Sequence, residues 1–85
     1  MNKAHPVAMA VGYVLLNVVP GKEHDVYLQL KDLESVADAT VLFGDYDLIV
    51  KVIANDLSSI ATAVVESIRQ IPGILDSKTL AGAEF

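Results

Sequence analysis

Val41-Leu42-Phe43-Gly44-Asp45-Tyr46-Asp47-Leu48-Ile49-Val50 is the stretch that decides the fold. Two apolar runs, rich in β-branched and aromatic residues, meet at a short polar turn, which is how a β-hairpin reads in sequence. Gly44 can take a positive φ without steric cost, and Asp45 tolerates tight turns. The turn gathers two carboxylates, a phenol and exposed backbone within four residues. It is therefore the first candidate for contact with a small polar ligand.

Outward from the hairpin, the chain falls into alternating elements. Upstream, Ala8 to Val19 reads as a long strand with apolar residues on both faces, Asn17 excepted, so burial on both sides is expected. Gly12 within it marks a bulge or a close backbone approach. Pro20-Gly21 ends that strand, and a helix runs from Lys22 to about Leu33, with Glu23 and Asp25 complementing the helix dipole in its first turn. Val26, Leu30 and Leu33 carry its apolar stripe, and Tyr27 broadens it. Ser35 to Phe43 is the second strand, with Ala37, Ala39, Val41 and Phe43 as its apolar face. Leu48 to Ala54 is the third.

Downstream, Asp56 is placed to cap a second helix from Leu57 to about Gln70. Leu57, Ile60, Ala61, Val64, Val65, Ile68 and Ile71 give it the clearest amphipathic pattern in the chain. Pro72-Gly73 terminates it. Ile74 to Leu80 forms the last strand. Residues 1–7 read as a loose lead-in, 8–82 as one ligand-binding and oligomerisation domain, and 83–85 as a tail.

The order is β-α-β-β-α-β, the α+β ferredoxin-like arrangement. Right-handed crossovers place both helices on one face of a four-stranded antiparallel sheet, with the first and third strands central. The other sheet face is left open, and the doubly apolar first strand makes that face apolar. A second copy covering it, as a homodimer joined through the sheets, follows from the pattern.

Composition points the same way. The chain has 85 residues, 53% of them hydrophobic, and no cysteine. A domain this small has a marginal core, and without disulfides its surplus apolar surface is best buried against other copies. Its net charge of −5, with only six Lys and Arg, argues against direct nucleic-acid binding. Val7 to Leu16 is too short to span a membrane, and the opening residues make a poor signal peptide. A soluble cytoplasmic protein is expected.

Little in the sequence suits catalysis. There is no nucleophile elbow and no phosphate loop, and His5 and His24 lack partners for a metal set. His24 reads as a solvent-facing helical residue. Asp45 and Asp47 could pair as carboxylates, but an Asp-x-Asp in a turn is ordinary turn chemistry, and nothing sets one apart as acid and the other as base. No catalytic residue, metal or cofactor is expected. Recognition of a small zwitterion fits better. Asp45 and Asp47 offer acceptors to an ammonium, the backbone around Gly44 offers donors to a carboxylate, and Tyr46 can pack over a side chain. Ser77 and Thr79, on one face of the last strand, are candidate hydroxyl partners.

The hairpin Leu42 to Val52, the step Ile71-Pro72-Gly73-Ile74 and the opening Tyr13 to Gly21 together resemble the effector (RAM) domain of the Lrp/AsnC, or feast/famine, transcriptional regulators. The resemblance runs from about residue 8 to 81, and Ser77 and Thr79 fall where that family often has threonines. It implies dimerisation through the sheets, further assembly of dimers, and amino-acid effectors held between dimers near Gly44, Asp45, Tyr46 and Asp47. It also implies a role in regulating amino-acid metabolism and mixed assembly with full-length relatives. Only about seven residues precede the first strand, too few for the family's DNA-reading helix, so the sequence reads as a stand-alone effector domain. Two other readings share the element order. An ACT-like regulatory domain would bind its ligand near Pro20-Gly21-Lys22. A small dimeric α+β-barrel enzyme, of monooxygenase or isomerase type, would use Tyr13 and Asn17.

Overall fold

A computed structural model describes residues 9–82. The expected lead-in, the start of the first strand at Ala8, and the tail over 83–85 lie outside the described residues. The elements are β1 (Ala10–Val18), α1 (Glu23–Lys31), β2 (Val36–Val41), β3 (Leu48–Ala54), α2 (Leu57–Ala63), which continues as one π turn (Val64–Ile68), and β4 (Ile74–Ala81). They form one four-stranded sheet in the order β2-β3-β1-β4, with every pairing antiparallel. The expected topology holds: β1 and β3 are central, and both helices share a face.

β1 shows why. Its residues Ala10, Gly12, Val14, Leu16 and Val18 are all buried. Ala10, Val14, Leu16 and Val18 join Leu48, Val50 and Val52 of β3, Val26 and Leu30 of α1, and Ile60, Val64 and Ile68 in a single core. A fully buried side chain of this size contributes about 1.5–3 kcal/mol by leaving water, so this layer dominates stability. The alternate β1 residues Val11, Tyr13, Leu15 and Asn17 lie on the opposite face with their cross-strand partners Ile49, Lys51 and Ile53. None of them is fully buried, and Tyr13 is exposed. The expected burial of β1 on both sides is therefore not met among the described residues, whose helices both pack on the other face.

Gly12 serves a close approach, and the bulge lies elsewhere. A Cβ at Gly12 would stand 2.8 Å from Ile60 Cγ2, so the glycine lets α2 settle onto β1. The irregularity in β1 comes at its end, between Asn17 and Val18, where the register with β4 shifts.

One expectation about an apolar face is corrected. In β2 the register shifts between Val36 and Asp38, so an extra residue sits at Ala37 and the alternation breaks there. Val36 takes the place opposite Val52. Of the expected face, Ala39 alone is buried, while Ala37, Val41 and Phe43 are exposed. The strand also ends at Val41, leaving Phe43 in the following loop.

In the second helix, the regular α geometry stops at Ala63. Residues four apart in an α-helix drift about 40° around the axis, which over Ile60, Val64 and Ile68 would carry the last side chain away from the sheet. The π turn, closed by the Arg69 N–H donating to the Val64 carbonyl at 2.9 Å, inserts a residue and keeps all three buried. The Gln70 side chain donates to the carbonyl of Val65 in the same turn. At the other end Asp56 caps the helix as expected, accepting the Ser59 N–H at 2.7 Å. Those hydrogen bonds from Ser59 hold the Asp56 carboxyl below its usual range.

Candidate functional site

The β2–β3 connection, residues 42–47, is built from its base upward. The Leu42 N–H donates to the Asp47 carbonyl at 2.8 Å and closes the loop. The Asp47 N–H then donates to the Leu16 carbonyl at 2.8 Å, and the Asp47 carboxylate accepts the Val18 N–H at 2.9 Å through Oδ2. A side chain thus takes over where the β1–β3 ladder runs out after Leu16 and Leu48. The loop is pinned to the central strand by backbone and side chain together.

Above this base stand Phe43, Gly44, Asp45 and Tyr46. Gly44 has φ +129, a conformation that L side chains rarely adopt, with open space around it. Phe43, Gly44 and Asp45 are exposed, and Tyr46 and Asp47 are half-buried. Phe43 is fully exposed, which sequence reading missed. Its place in the 37-39-41-43 alternation pointed inward, and the bulge at Ala37 and the early end of β2 removed it from that pattern.

Ser77 and Thr79 sit on β4 opposite Leu16 and Val14, hence on the helix side of the sheet. Ser77 is half-buried and Thr79 exposed. Leu16 is the shared neighbour, bonded to Asp47 on one side and paired with Ser77 on the other. The loop base and Ser77 therefore flank the same end of β1, about 10 Å apart across two strand spacings. Thr79 lies two residues further from the loop. Within one chain the six residues lie on either side of β1, toward one end of the sheet.

The chemistry available there is hydrogen bonding and charge. Asp45 is exposed and can meet a cation, whereas the Asp47 carboxylate already holds the Val18 N–H. Among the described residues no three or more of His, Cys, Asp and Glu come together to hold a metal ion, and no helix is long and apolar enough to cross a membrane. The features of the two other readings lie elsewhere. The Gly21 N–H in the β1–α1 loop is taken by Glu23 Oε1 at 2.9 Å. Tyr13 and Asn17 share the open sheet face, opposite Leu80 and Asp76 of β4.

Comparison with known proteins agrees with this architecture. The family model described as the Lrp/AsnC ligand binding domain matches residues 12–81. The crystal structure of FFRP-DM1 is similar at 32% identity with a TM-score of 0.82, over 87% of this chain and 99% of that one. Hypothetical protein PHS023 from Pyrococcus horikoshii is also 32% identical, with a TM-score of 0.81 over 87% and 89% of the two chains. AsnC of E. coli shares the fold at 18% identity and a TM-score of 0.80, over 86% of this chain and 50% of its own. Transcriptional regulator NMB0573 from Neisseria meningitidis, in complex with L-Met, does so at 10% identity and a TM-score of 0.76, over 87% and 49%. Among curated proteins none matches the chain significantly.

Proposed function

The chain belongs to the Lrp/AsnC ligand-binding domain family, and from that premise we propose that it is a non-enzymatic module that binds a small amino-acid effector and assembles with itself. The family is a regulatory ligand-binding domain of transcription regulators, so the role proposed is cytoplasmic control of transcription in amino-acid metabolism, without nucleic-acid contact by this domain. The observation that carries the reading is the pinned β2–β3 loop. Asp47 fixes its base to β1, and a fixed base presents Gly44 and Asp45 to solvent with little ordering left to lose on binding. In this reading Asp45 meets the ammonium, backbone N–H groups around Gly44 meet the carboxylate, and Tyr46, with Ser77 and Thr79 of this or a neighbouring copy, completes the site. That a fold neighbour is a complex with L-Met suits the same class of effector here.

The open sheet face supports the second half of the proposal. Tyr13 and Leu80 are exposed there as cross-strand partners, and a second copy placed sheet to sheet would cover them. The homodimer so formed assembles further, and full-length Lrp/AsnC relatives co-assemble through the same face. A thermal-shift screen of the twenty amino acids, run beside light scattering for particle mass, tests both halves. A ligand at 100 times its Kd adds about 2.7 kcal/mol to the folded state. One amino acid should stand out on a particle larger than a monomer. No shift from any of them would remove the effector, and a monomeric mass would remove the assembly.

A further inference from the structure

The β2–β3 loop has an apolar side as well as a polar one. Phe43 is fully exposed, although its neighbour Leu42 donates the bond to Asp47 that closes the loop. Val41, the last residue of β2, is exposed too. Val41 pairs with Leu48, Leu48 with Leu16 and Leu16 with Ser77, so these four form a row across the sheet on its helix side, next to the loop. The two inner members are buried, and Val41 at the rim is not. Scattered exposed apolar residues are ordinary on a protein surface. These two run directly into Gly44 and Asp45, and a Cβ on Gly44 would find open space. The loop base is fixed to β1 by Asp47, so the ring is presented with little ordering left to lose.

Charge narrows what these residues can meet. From Val41 to Val50 the sequence has two carboxylates and no Lys, Arg or His, and the Asp47 carboxylate is engaged with the Val18 N–H. Asp45 is the exposed carboxylate of the loop, and an effector ammonium uses it. A second charge on the effector then has no counter-charge in the loop. An acidic side chain would face Asp45 itself, and a basic one would give up water over Phe43 without an acceptor in exchange. An apolar side chain gives up nothing and takes the Phe43 ring out of water. We infer, resting on the amino-acid effector proposed for this loop, that its side chain is uncharged and apolar and lies against Phe43 and Val41, with Phe43 setting the preference. The ammonium and carboxylate sit over Asp45 and the Gly44 backbone, one residue from the ring, so one loop supplies all three contacts.

Calorimetric titration with L-alanine, L-2-aminobutyrate, L-norvaline and L-norleucine tests this, because the series adds one methylene at a time. Affinity should rise about two- to fourfold per methylene, and L-aspartate and L-lysine should bind no better than L-alanine. Phe43→Ser, at a fully exposed position, should flatten the series with the melting transition and the light-scattering mass unchanged. Phe43→Leu should keep the slope. A flat series in the unmodified protein, or L-aspartate, L-asparagine or L-lysine as the tightest ligand, overturns the apolar preference and leaves the effector itself standing. A slope that Phe43→Ser does not alter overturns the part given to Phe43. A mass that falls in Phe43→Ser assigns the ring to a contact between copies and overturns it as well. Absence of binding by every amino acid removes the effector reading and the side-chain preference together.

Discussion

The Asp47 carboxylate holds the Val18 N–H at 2.9 Å across 29 residues of chain. This bond makes Asp47 a structural member of the β1 terminus as well as a residue of the candidate site. Asp47→Ala leaves a part-buried N–H without its acceptor, which costs about 1–3 kcal/mol. Asp47→Asn keeps an acceptor oxygen and should lose less. Urea denaturation of the two variants measures the difference, and an unchanged stability in Asp47→Ala would show that the bond contributes nothing.

Asp45 separates ligand contact from loop support. It is exposed, so Asp45→Asn should change stability by no more than about 0.5 kcal/mol. If Asp45 meets the effector ammonium, the same substitution should abolish the selective thermal shift. A normal shift in Asp45→Asn would move the ammonium site elsewhere.

Gly12→Ala drives a methyl toward Ile60, whose Cγ2 would lie 2.8 Å away. Overpacking of this kind costs about 1–3 kcal/mol. Ile60→Ala in the same chain removes Cγ2 and opens space beside the new methyl, and a double-mutant cycle should return a favourable coupling term. Additive losses would mean that α2 shifts bodily to make room.

At the start of α2, the Asp56 carboxyl is held below 3.8 by its bonds from Ser59. A lowered carboxyl contributes stability that is fully present above the unfolded value and is lost as pH falls through the folded one. Asp56→Ala should therefore destabilise the protein at neutral pH and flatten its response to acid below about 3.8. A melting series from pH 2 to pH 6, run on both proteins at about ten pH values, reads the effect. Parallel curves would show that the cap is energetically silent.

The sequence carried most of the architecture and less of the site. Periodicity placed β3 at its observed bounds and identified Asp56 as a cap, because both depend on neighbouring residues. The bulge at Ala37 was not legible, since Val36-Ala37-Asp38-Ala39 alternates acceptably in either register and pairing with β3 decides between them. The π turn was hidden too, because Val64, Val65 and Ile68 fit an ordinary amphipathic helix. Within the site, the turn residues and the side-sharing of Ser77 and Thr79 could be read locally. The partnership of Asp47 with Val18 could not, because it joins residues 29 apart.

The bulge in β2 has a consequence for the two rims of the sheet. A strand at the rim offers unpaired N–H and C=O groups to any passing extended segment, and a bulge there spoils the template. β2 is interrupted in this way between Val36 and Asp38. β4 runs regularly from Ser77 to Ala81 against Leu16 to Gly12, with its irregularity confined to the Val18 end. Among the described residues the sheet is thus guarded on one rim and open on the other, which makes β4 the rim where an added strand, useful or pathological, would land.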